Sequence, residues 1–326
     1  MLRTGWRLLA ASLFVLPLIP VGAIAQSYPD KPIHFIVPFP PGASTDLTAR
    51  IIGEAMSGLL GQPIVVENRP GAAAAIGIDL VAKSRPDGYT MGISGVGATA
   101  IIPLIDPKLS YSPTRDLAMV AGLSMVDGMT VARADLKQNT MKELLEFAKA
   151  NPEKVTYATA GVTGPAHLNM ENLMLLSGTK LLHVPFPGDS PAIASVLAGD
   201  VTIGAVSAAV ALPFVMDGKL KPLAAGGPDR LRSHPDLLTI AEQTGYQGYT
   251  ANSWNVLVVP KATPPAIIEK LNKAVNDAIK KPEVKQKLEN LGLSTMPGDV
   301  KWTEAFIADK IATNKRIIDA TGLKRE

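Results

Sequence analysis

The sequence contains no cysteine among its 326 residues. This absence excludes disulfide bridges and thiolate metal sites, so stability has to come from an apolar core. A chain of this length can build such a core, because roughly three quarters of the unfolded surface is buried at about 300 residues. Hydrophobic residues make up 47% and charged residues 19% of the chain, which is the composition of a folded globular protein.

The sequence also lacks an excess of charge of one sign. The formal net charge is +3, and basic and acidic residues are interspersed without forming a basic stripe. This distribution argues against nucleic acid as a partner.

The motifs of common enzymes are missing as well. There is no P-loop and no G-x-S-x-G nucleophile elbow. No metal-ligand spacing is seen among the four histidines, which are His34, His167, His183 and His234. Residues 95–100 match the dinucleotide pattern G-x-G-x-x-A, but Pro103 follows soon and no clear helix is predicted there. We therefore predict a non-catalytic protein without cofactor or metal.

The one long apolar run lies at the N-terminus. Arg3 and Arg7 precede the apolar residues 8–21, and Ala23-Ile24-Ala25 is a cleavage signal of small residues. This pattern predicts a secretory signal peptide over residues 1–25. The alternative, a membrane anchor, is disfavoured because the run of about 14 residues is shorter than the ~20 needed to span a bilayer. The mature chain is expected to be soluble in the periplasm.

Strand and helix patterns alternate along the rest of the chain. Apolar runs such as 33–37 and 155–160 predict buried strands, each followed by a turn and a helix pattern. The alternation predicts parallel sheets covered by helices. The units fall into two sets, so the predicted fold class is α/β with two lobes and a cleft between them. We assign residues 26–125 and 251–326 to lobe I and residues 126–250 to lobe II.

Four predicted strand-to-helix turns are rich in Gly, Ser and Thr, at residues 39–46, 94–99, 159–164 and 185–190. Ligands of open α/β sheets bind at the carboxyl ends of strands, where small residues let the backbone approach and helix N-termini favour an anion. One such turn is ordinary, but four in an exported two-lobed chain predict a cleft for a carboxylate.

The candidate ligand-binding residues lie in or beside these turns and at the end of one further strand. They are Phe39, Pro41, Gly42, Ala43, Ser44, Thr45, Asp46, Ser94, Gly95, Thr159, Ala160, Gly161, Thr163, His167, Phe186, Gly188, Val206 and Ser207. For His167, one turn into a helix, we favour support of the preceding turn over ligand contact. The spacing of Asp46 and Arg50 is typical of a helix cap and a surface ion pair.

The chain resembles the Bug family, the extracytoplasmic solute receptors of tripartite tricarboxylate transporters. The motifs that carry the resemblance are Y-P-D-K-P at 28–32, V-P-F-P-P-G at 37–42, V-E-N-R-P-G at 66–71, P-D-G-Y at 86–89 and V-P-F at 184–186. The resemblance covers essentially the whole mature chain. It implies a type II-like periplasmic-binding-protein fold in which the turns at 39–45 and 159–163 hold a ligand carboxylate. Phe186, Gly188 and the Val206-Ser207 loop would meet the far end of the ligand.

Several positions depart from the family pattern. Ala43 replaces a usual glycine, which predicts that residue 43 avoids left-handed backbone and that Ser44 carries more of the ligand contact. Val206 stands where an acidic residue is common, and Ile102 where asparagine is usual. These changes predict a far pocket that is less polar and has lost a negative charge. We therefore expect a ligand without a cationic amine, such as a dicarboxylate with an apolar or aromatic middle.

The predicted function is a periplasmic receptor, expected to be monomeric, for a small di- or tricarboxylate or aromatic acid. The resemblance implies that it delivers this ligand to the membrane permease subunits of a tripartite tricarboxylate transporter. Two alternatives stay open. One is a periplasmic enzyme acting on a carboxylic acid, and the other is a ligand-sensing receptor for a signalling partner.

Overall fold

The computed structural model of the protein describes residues 28–162 and 164–324. The predicted signal peptide and the candidate site residue Thr163 lie outside the described residues. The described chain forms two β-sheets, each flanked by helices, as the α/β prediction requires.

Sheet I takes its strands from both ends of the described chain. They are β1 (Ile33–Val37), β2 (Ile64–Asn68), β3 (Thr90–Gly95), β4 (Leu117–Val126), β10 (Ser253–Pro260) and β11 (Leu293–Thr295). Their spatial order is β11-β4-β10-β3-β1-β2. The strands β1, β2 and β3 are parallel, whereas β10 runs antiparallel between β3 and β4.

Sheet II takes its strands from the middle of the chain. They are β5 (Gly128–Arg133), β6 (Thr156–Ala160), β7 (Leu182–Phe186), β8 (Ile203–Ser207) and β9 (Leu220–Ala225). Their order is β7-β6-β8-β5-β9. The strands β6, β7 and β8 are parallel, and β5 is antiparallel to both of its neighbours.

The helices follow the strands in the alternation that the sequence predicts. They are α1 (Ser44–Leu60), α2 (Ala75–Ala82), α3 (Ile102–Ile105), α4 (Pro113–Asp116), α5 (Met141–Ala150), α6 (Pro165–Ser177), α7 (Asp189–Ala198), α8 (Ala208–Met216), α9 (Ile240–Thr244), α10 (Pro265–Ile279), α11 (Pro282–Glu289) and α12 (Val300–Thr321). A 3₁₀ turn, Ala72–Ala74, precedes α2. Across residues 28–162 and 164–324, no helix has both the length and the apolar character to cross a membrane.

One stretch predicted as irregular is helical. A π-helical turn, Gly97–Ile101, follows β3 directly and continues into α3. The expectation that no helix follows β3 is wrong because Pro103 falls in the first turn of α3, where its missing N–H has no intrahelical partner to lose.

Side chains alternate between the two faces of sheet I. Phe35 of β1 packs against α1 and α10 on one face, and its neighbour Ile36 packs towards α2 on the other. The same alternation is seen in β10, where Leu257 and Val258 belong to opposite cores. Burial on both faces explains why these strands read as continuous apolar runs.

The described chain passes between the sheets twice, at residues 126–128 and 251–253. At the first crossing a Cβ on Gly128 would lie 2.0 Å from the carbonyl oxygen of Ala251, so only glycine fits there. The Gly226 N–H donates to the Gly128 carbonyl (2.8 Å), and the Ala251 N–H donates to the Gly226 carbonyl (2.6 Å). Three backbone segments therefore lie in direct contact where the sheets join.

Further contacts join the two sheets beside the crossings. Ser294 donates to the Asp127 carboxylate (2.6 Å), and Arg232 pairs with Glu289 (2.6 Å). Leu168 of α6 is buried in the core that also holds Trp254 beside sheet I. The crossings are thus flanked by polar contacts and by an apolar one.

Candidate functional site

The strand register brings the predicted turns to one gap. In sheet I, Gly95 at the end of β3 pairs with Asn255, just after the second crossing. In sheet II, Ser207 at the end of β8 pairs with Gly128, just after the first crossing. Because neighbouring parallel strands end at the same edge, the ends of β1 and β3 face the ends of β6, β7 and β8 across the crossings. This is where open α/β sheets bind ligands.

The turn after β1 is held by one buried carboxylate. Asp46 is 1% exposed and accepts hydrogen bonds from the Gly42 N–H (2.9 Å), Arg50 Nε (3.0 Å) and Asn68 Nδ2 (2.8 Å). Burial acts to raise the pKa of the Asp46 carboxyl, but these bonds outweigh it and hold the pKa below its usual value. Asp46 therefore stabilises the turn from within. The predicted ion pair with Arg50 is present, but the predicted helix cap is wrong, because Asp46 bonds Gly42, which precedes the N-cap residue Ala43.

The backbone of this turn matches the prediction made from Ala43. Gly42 takes the left-handed conformation (φ 84°), whereas Ala43 is extended (φ −64°, ψ 153°). The prediction that residue 43 avoids left-handed backbone is confirmed, because the neighbouring glycine makes that bend. Ser44, the first residue of α1, is exposed, and no side chain caps the helix.

The remaining candidates of lobe I support this edge. Phe39 is half-buried against both cores of sheet I. Pro41 is exposed and Thr45 is buried. Ser94 is fully buried, and its hydroxyl bonds that of Thr99 at 2.6 Å. These contacts fix the strand ends and leave the α1 N-terminus facing the gap.

The turn after β6 uses its threonine internally. Thr159 is 0% exposed, and its hydroxyl donates to the Gly161 carbonyl (3.0 Å) and lies 2.7 Å from His183 Nε2. The Gly161 N–H donates to the Phe186 carbonyl (2.8 Å), and Gly161 is left-handed (φ 86°). Thr159 thus shapes the turn, and its hydroxyl already has two partners.

A stacked pair of histidines lies behind this turn. The rings of His167 and His183 are 3.8 Å apart and nearly parallel. Glu171 lies 3.3 Å from His167 Nε2 and accepts from the Tyr157 hydroxyl (3.0 Å). Burial, and then the neighbouring His167, lowers the pKa of His183 to about 4. These contacts agree with the view that His167 supports the turn.

A cavity of about 190 Å³ lies beside the crossings. Its walls are the two crossing segments, the start of α6 and the ends of β6 and β8. Of the candidates that the structure describes, Ala160, Val206 and Ser207 line it. Gly188 lies next to the lining residue Asp189. The turn after β1 does not line this cavity and lies at the facing edge of sheet I.

Two carboxyl groups line the cavity, Asp127 and Asp189. Asp189, in the first turn of α7, accepts from the Ser207 N–H at 3.1 Å. Burial raises the pKa of both carboxyl groups, and the charge of Asp229 adds to the rise at Asp127. The expectation that this pocket lacks a negative charge is therefore wrong, because Asp189 bonds the residue next to Val206 and restores an acid there.

Sequence reasoning missed most of the polar lining. The missed residues are Asp127, Thr130, Asn169, Asp189, Asn252 and Ser253. A signal was present for some of them, since Asp127-Gly128 and Ala251-Asn252 fall at the predicted lobe boundaries. Asp189 falls within the fourth predicted turn but was not selected from it.

The fold consists of two β-sheets, each flanked by helices, that are joined by two crossing segments. The strand ends and a cavity lie at these crossings. This arrangement defines a two-lobed ligand-binding protein. The comparison with protein families then identifies the family. The chain belongs to the family described as "Tripartite tricarboxylate transporter family receptor", TctC, whose model matches residues 48–323. The resemblance to this family found in the sequence motifs is confirmed.

Individual relatives agree with the family match. Protein BugT of Bordetella pertussis is 35% identical over 301 residues, which cover 92% of each chain. The structure of MatC from Rhodopseudomonas palustris with bound malate has 28% identity and a TM-score of 0.69, covering 89% of this chain and 100% of that one. Rpa4515 of R. palustris with adipate has 26% identity and a TM-score of 0.74, covering 91% and 99%.

Proposed function

We propose that the protein is an exported, non-catalytic receptor that binds a small carboxylate between its two lobes. The observation that carries this proposal is the set of helices that begin at the facing strand ends. The helices α1, α6, α7 and α8 all start there, and within residues 28–162 and 164–324 no side chain caps any of them. Their first N–H groups and positive dipole ends suit an anion.

The relatives support a carboxylate as that anion. MatC was solved with malate and Rpa4515 with adipate, and both are dicarboxylates. Several charge-assisted hydrogen bonds at about 1.5–3 kcal/mol each would reach micromolar affinity, about −8 kcal/mol, after the costs of association.

A thermal-shift screen with mono-, di- and tricarboxylates tests the proposal. Malate and adipate are the first probes. A ligand at 100 times its Kd should stabilise the folded state by about 2.7 kcal/mol. Absence of a shift with every carboxylate would overturn the receptor proposal.

A pair of variants at Ser44 tests the backbone contact directly. Ser44→Pro removes the first N–H of α1, while proline is well tolerated at this helix position and after the extended residue Ala43. Ser44→Ala keeps the N–H and removes only the hydroxyl. We expect the proline variant to lose about ten-fold or more in affinity, equal to about 1.4 kcal/mol, and the alanine variant to lose less.

The remaining parts of the proposal concern export, partner and turnover. We propose that residues 1–25 are cleaved before Gln26, which the mass of the secreted protein tests.

The family supports membrane permease subunits as the partner, and uptake of labelled ligand by cells with and without this chain tests that. In the enzyme alternative, NMR would show the bound acid being consumed, whereas a receptor leaves it unchanged.

A further inference from the structure

The two halves of the molecule also meet on the side of the crossings that faces away from the cleft. In sheet I the strands β4 and β10, which meet the crossings, separate β11 from β3, β1 and β2. In sheet II the strand β5 separates β9 from β8, β6 and β7. The cleft lies at the ends of β1, β3, β6, β7 and β8. The segments next to β9 and β11 therefore lie on the opposite side, which we call the back of the crossings.

Two contacts join the lobes at the back. Arg232, in the segment after β9, forms an ion pair of 2.6 Å with Glu289 at the end of α11. Close to this pair in the chain, a Cβ on Gly292 would lie only 2.2 Å from the Cβ of Ala209 in α8. The backbone just before β11 therefore packs directly against the other lobe.

The rest of the back is not closely packed. A cavity of about 540 Å³ lies between the lobes there. One wall consists of the start of α8 and residues 228–233, and the other consists of α11 and β11 with residue 292 between them. Because few contacts bridge this space, the back can open with the loss of few interactions.

The front of the cleft is open in this structure. In the turn after β1, Pro41, Gly42 and Ser44 are exposed, and they do not line the cavity at the crossings. In the turn after β7, Pro187 and Ser190 are exposed. The structure thus combines an open front with a joined back.

Hinge closure couples these two sides. When two lobes rotate about crossing strands, groups on one side approach and groups on the opposite side separate. Closure of the cleft on a ligand would therefore pull Arg232 away from Glu289. The apparent affinity for a ligand falls with the fraction of the protein in the binding-competent state, so an interaction made only in the open state weakens binding.

We propose that the Arg232–Glu289 ion pair is a clasp that holds the unliganded receptor open and breaks when the lobes close, so that it lowers the affinity for ligand. This inference rests on the proposed receptor function and adds how the affinity of that site is set. It assigns a role in binding to two residues that lie outside the cleft.

Arg232→Gln removes the clasp, and Arg230→Gln is its matched control. Arg230 pairs with Glu242 at 2.8 Å, but both of these residues belong to the lobe of sheet II, so their pair does not bridge the lobes. Both variants lose one positive charge, which cancels any general effect of charge on an anionic ligand. In calorimetry with malate and adipate, we expect Arg232→Gln to bind about two- to five-fold tighter than Arg230→Gln, the range of an exposed ion pair.

The partner residue gives a second test through the sign of its effect. Glu289→Gln removes a negative charge, whereas Arg232→Gln removes a positive one. A general electrostatic effect on an anionic ligand would have opposite signs in the two variants, but loss of the clasp tightens binding in both. The double variant should bind no tighter than either single variant, because the same interaction is lost in each.

The unliganded protein provides a separate measurement. Because the chain has no cysteine, spin labels attach only to introduced ones. Arg69→Cys after β2 and Pro187→Cys after β7 place them at exposed positions on opposite lobes at the front. Pulsed electron paramagnetic resonance without ligand should give a shorter mean distance in the Arg232→Gln background than in the Arg230→Gln background.

The outcomes separate the clasp from the receptor proposal. Binding in Arg232→Gln that is equal to or weaker than in Arg230→Gln overturns the clasp, and so do effects of opposite sign in Arg232→Gln and Glu289→Gln. Failure of every carboxylate to bind overturns the receptor proposal, and the spin-label distance then decides the clasp alone. A shorter distance retains the clasp, and an unchanged one overturns it in either case.

Discussion

The two edges that face each other across the crossings each carry an aspartate in the first turn of a helix, and the two behave in opposite ways. Asp46 in α1 is buried, accepts hydrogen bonds from three residues and has a lowered pKa. Within the described part of the chain, Asp189 in α7 accepts one hydrogen bond, from the Ser207 N–H, and burial raises its pKa. The bonds of Asp46 hold the turn after β1 in place, whereas Asp189 has fewer bonds to offset the cost of its burial.

The layers behind the two edges differ in the same way. Behind the lobe I edge, Ser94 and Thr99 form a buried hydroxyl pair that does not titrate near neutral pH. Behind the lobe II edge, Thr159 bonds His183, which stacks on His167. The layer behind the first edge therefore holds hydroxyl groups, whereas the layer behind the second holds two imidazole rings.

The largest effect that this comparison predicts is on stability at Asp46. Asp46→Asn turns one acceptor into a donor facing Gly42, Arg50 and Asn68, and should lower the unfolding free energy by about 3 kcal/mol. Urea denaturation measures this. The control Asp79→Asn changes an acid whose side chain is 24% exposed and which accepts from Lys83 and Ser110. It should cost about 1 kcal/mol or less. Equal losses in the two variants would refute the structural role of Asp46.

The second effect is a pH dependence of stability that His183 contributes. The pKa of His183 in the folded state, about 4, lies below the unfolded value of about 6.5, so the folded state binds fewer protons between these values. The stability that His183 contributes is complete above pH 6.5 and is lost as the pH falls towards 4. Glu171 opposes the shift, whereas His167 adds to it.

His183→Gln isolates this contribution, since its amide can still donate to Thr159. Because the ring is partly exposed, we expect the wild type to lose about 1.5 kcal/mol more than the variant between pH 7 and pH 4. Urea titrations of both proteins at the two pH values give the difference. Parallel pH profiles would show that His183 is not the titrating group.

The local parts of this architecture could be predicted from the sequence. The predicted turn at residues 39–46 leads directly into the helix α1, which starts at Ser44 and ends at Leu60, before the left-handed Gly61. The strands that alternate with helices were likewise predicted. The insertion of β10 between β3 and β4 was not, because antiparallel pairing over more than 120 residues leaves no local signal.

The site was less predictable than the fold. The turns were found from their composition, but the internal use of Asp46 and Thr159 depends on partners such as Asn68 and His183 that are distant in sequence. Asp189 was not predicted as a site residue because the loss of a negative charge was inferred from Val206 alone. Only the folded chain shows that α7 brings another acid to Ser207.

A third test compares the glycines of the two facing turns. Gly42 (φ 84°) and Gly161 (φ 86°) share a left-handed backbone, and a Cβ on either would meet no atom within 4 Å. Each alanine substitution should therefore cost about 1 kcal/mol through backbone strain alone. Gly97→Ala, with open space and ordinary φ, is the control and should cost less than about 0.5 kcal/mol. A cost at only one of the two turns would show that the two left-handed glycines do not contribute equally to stability.

We expect Asp189 to have the smallest effect on stability. The test concerns the sign of its pH dependence. Because burial raises the folded-state pKa of this carboxyl, its ionisation at higher pH costs the folded state more than the unfolded state, and Asp189→Asn removes this penalty. The same change loses a helix-end interaction of about 0.3–1 kcal/mol, so the unfolding free energy at pH 7 should change by less than about 0.5 kcal/mol, against about 3 for Asp46→Asn. As the pH falls through the raised pKa, the wild type binds a proton and gains stability relative to the variant. A loss comparable to that of Asp46→Asn in urea would show that both aspartates maintain the fold, and that the two edges of the cleft are alike.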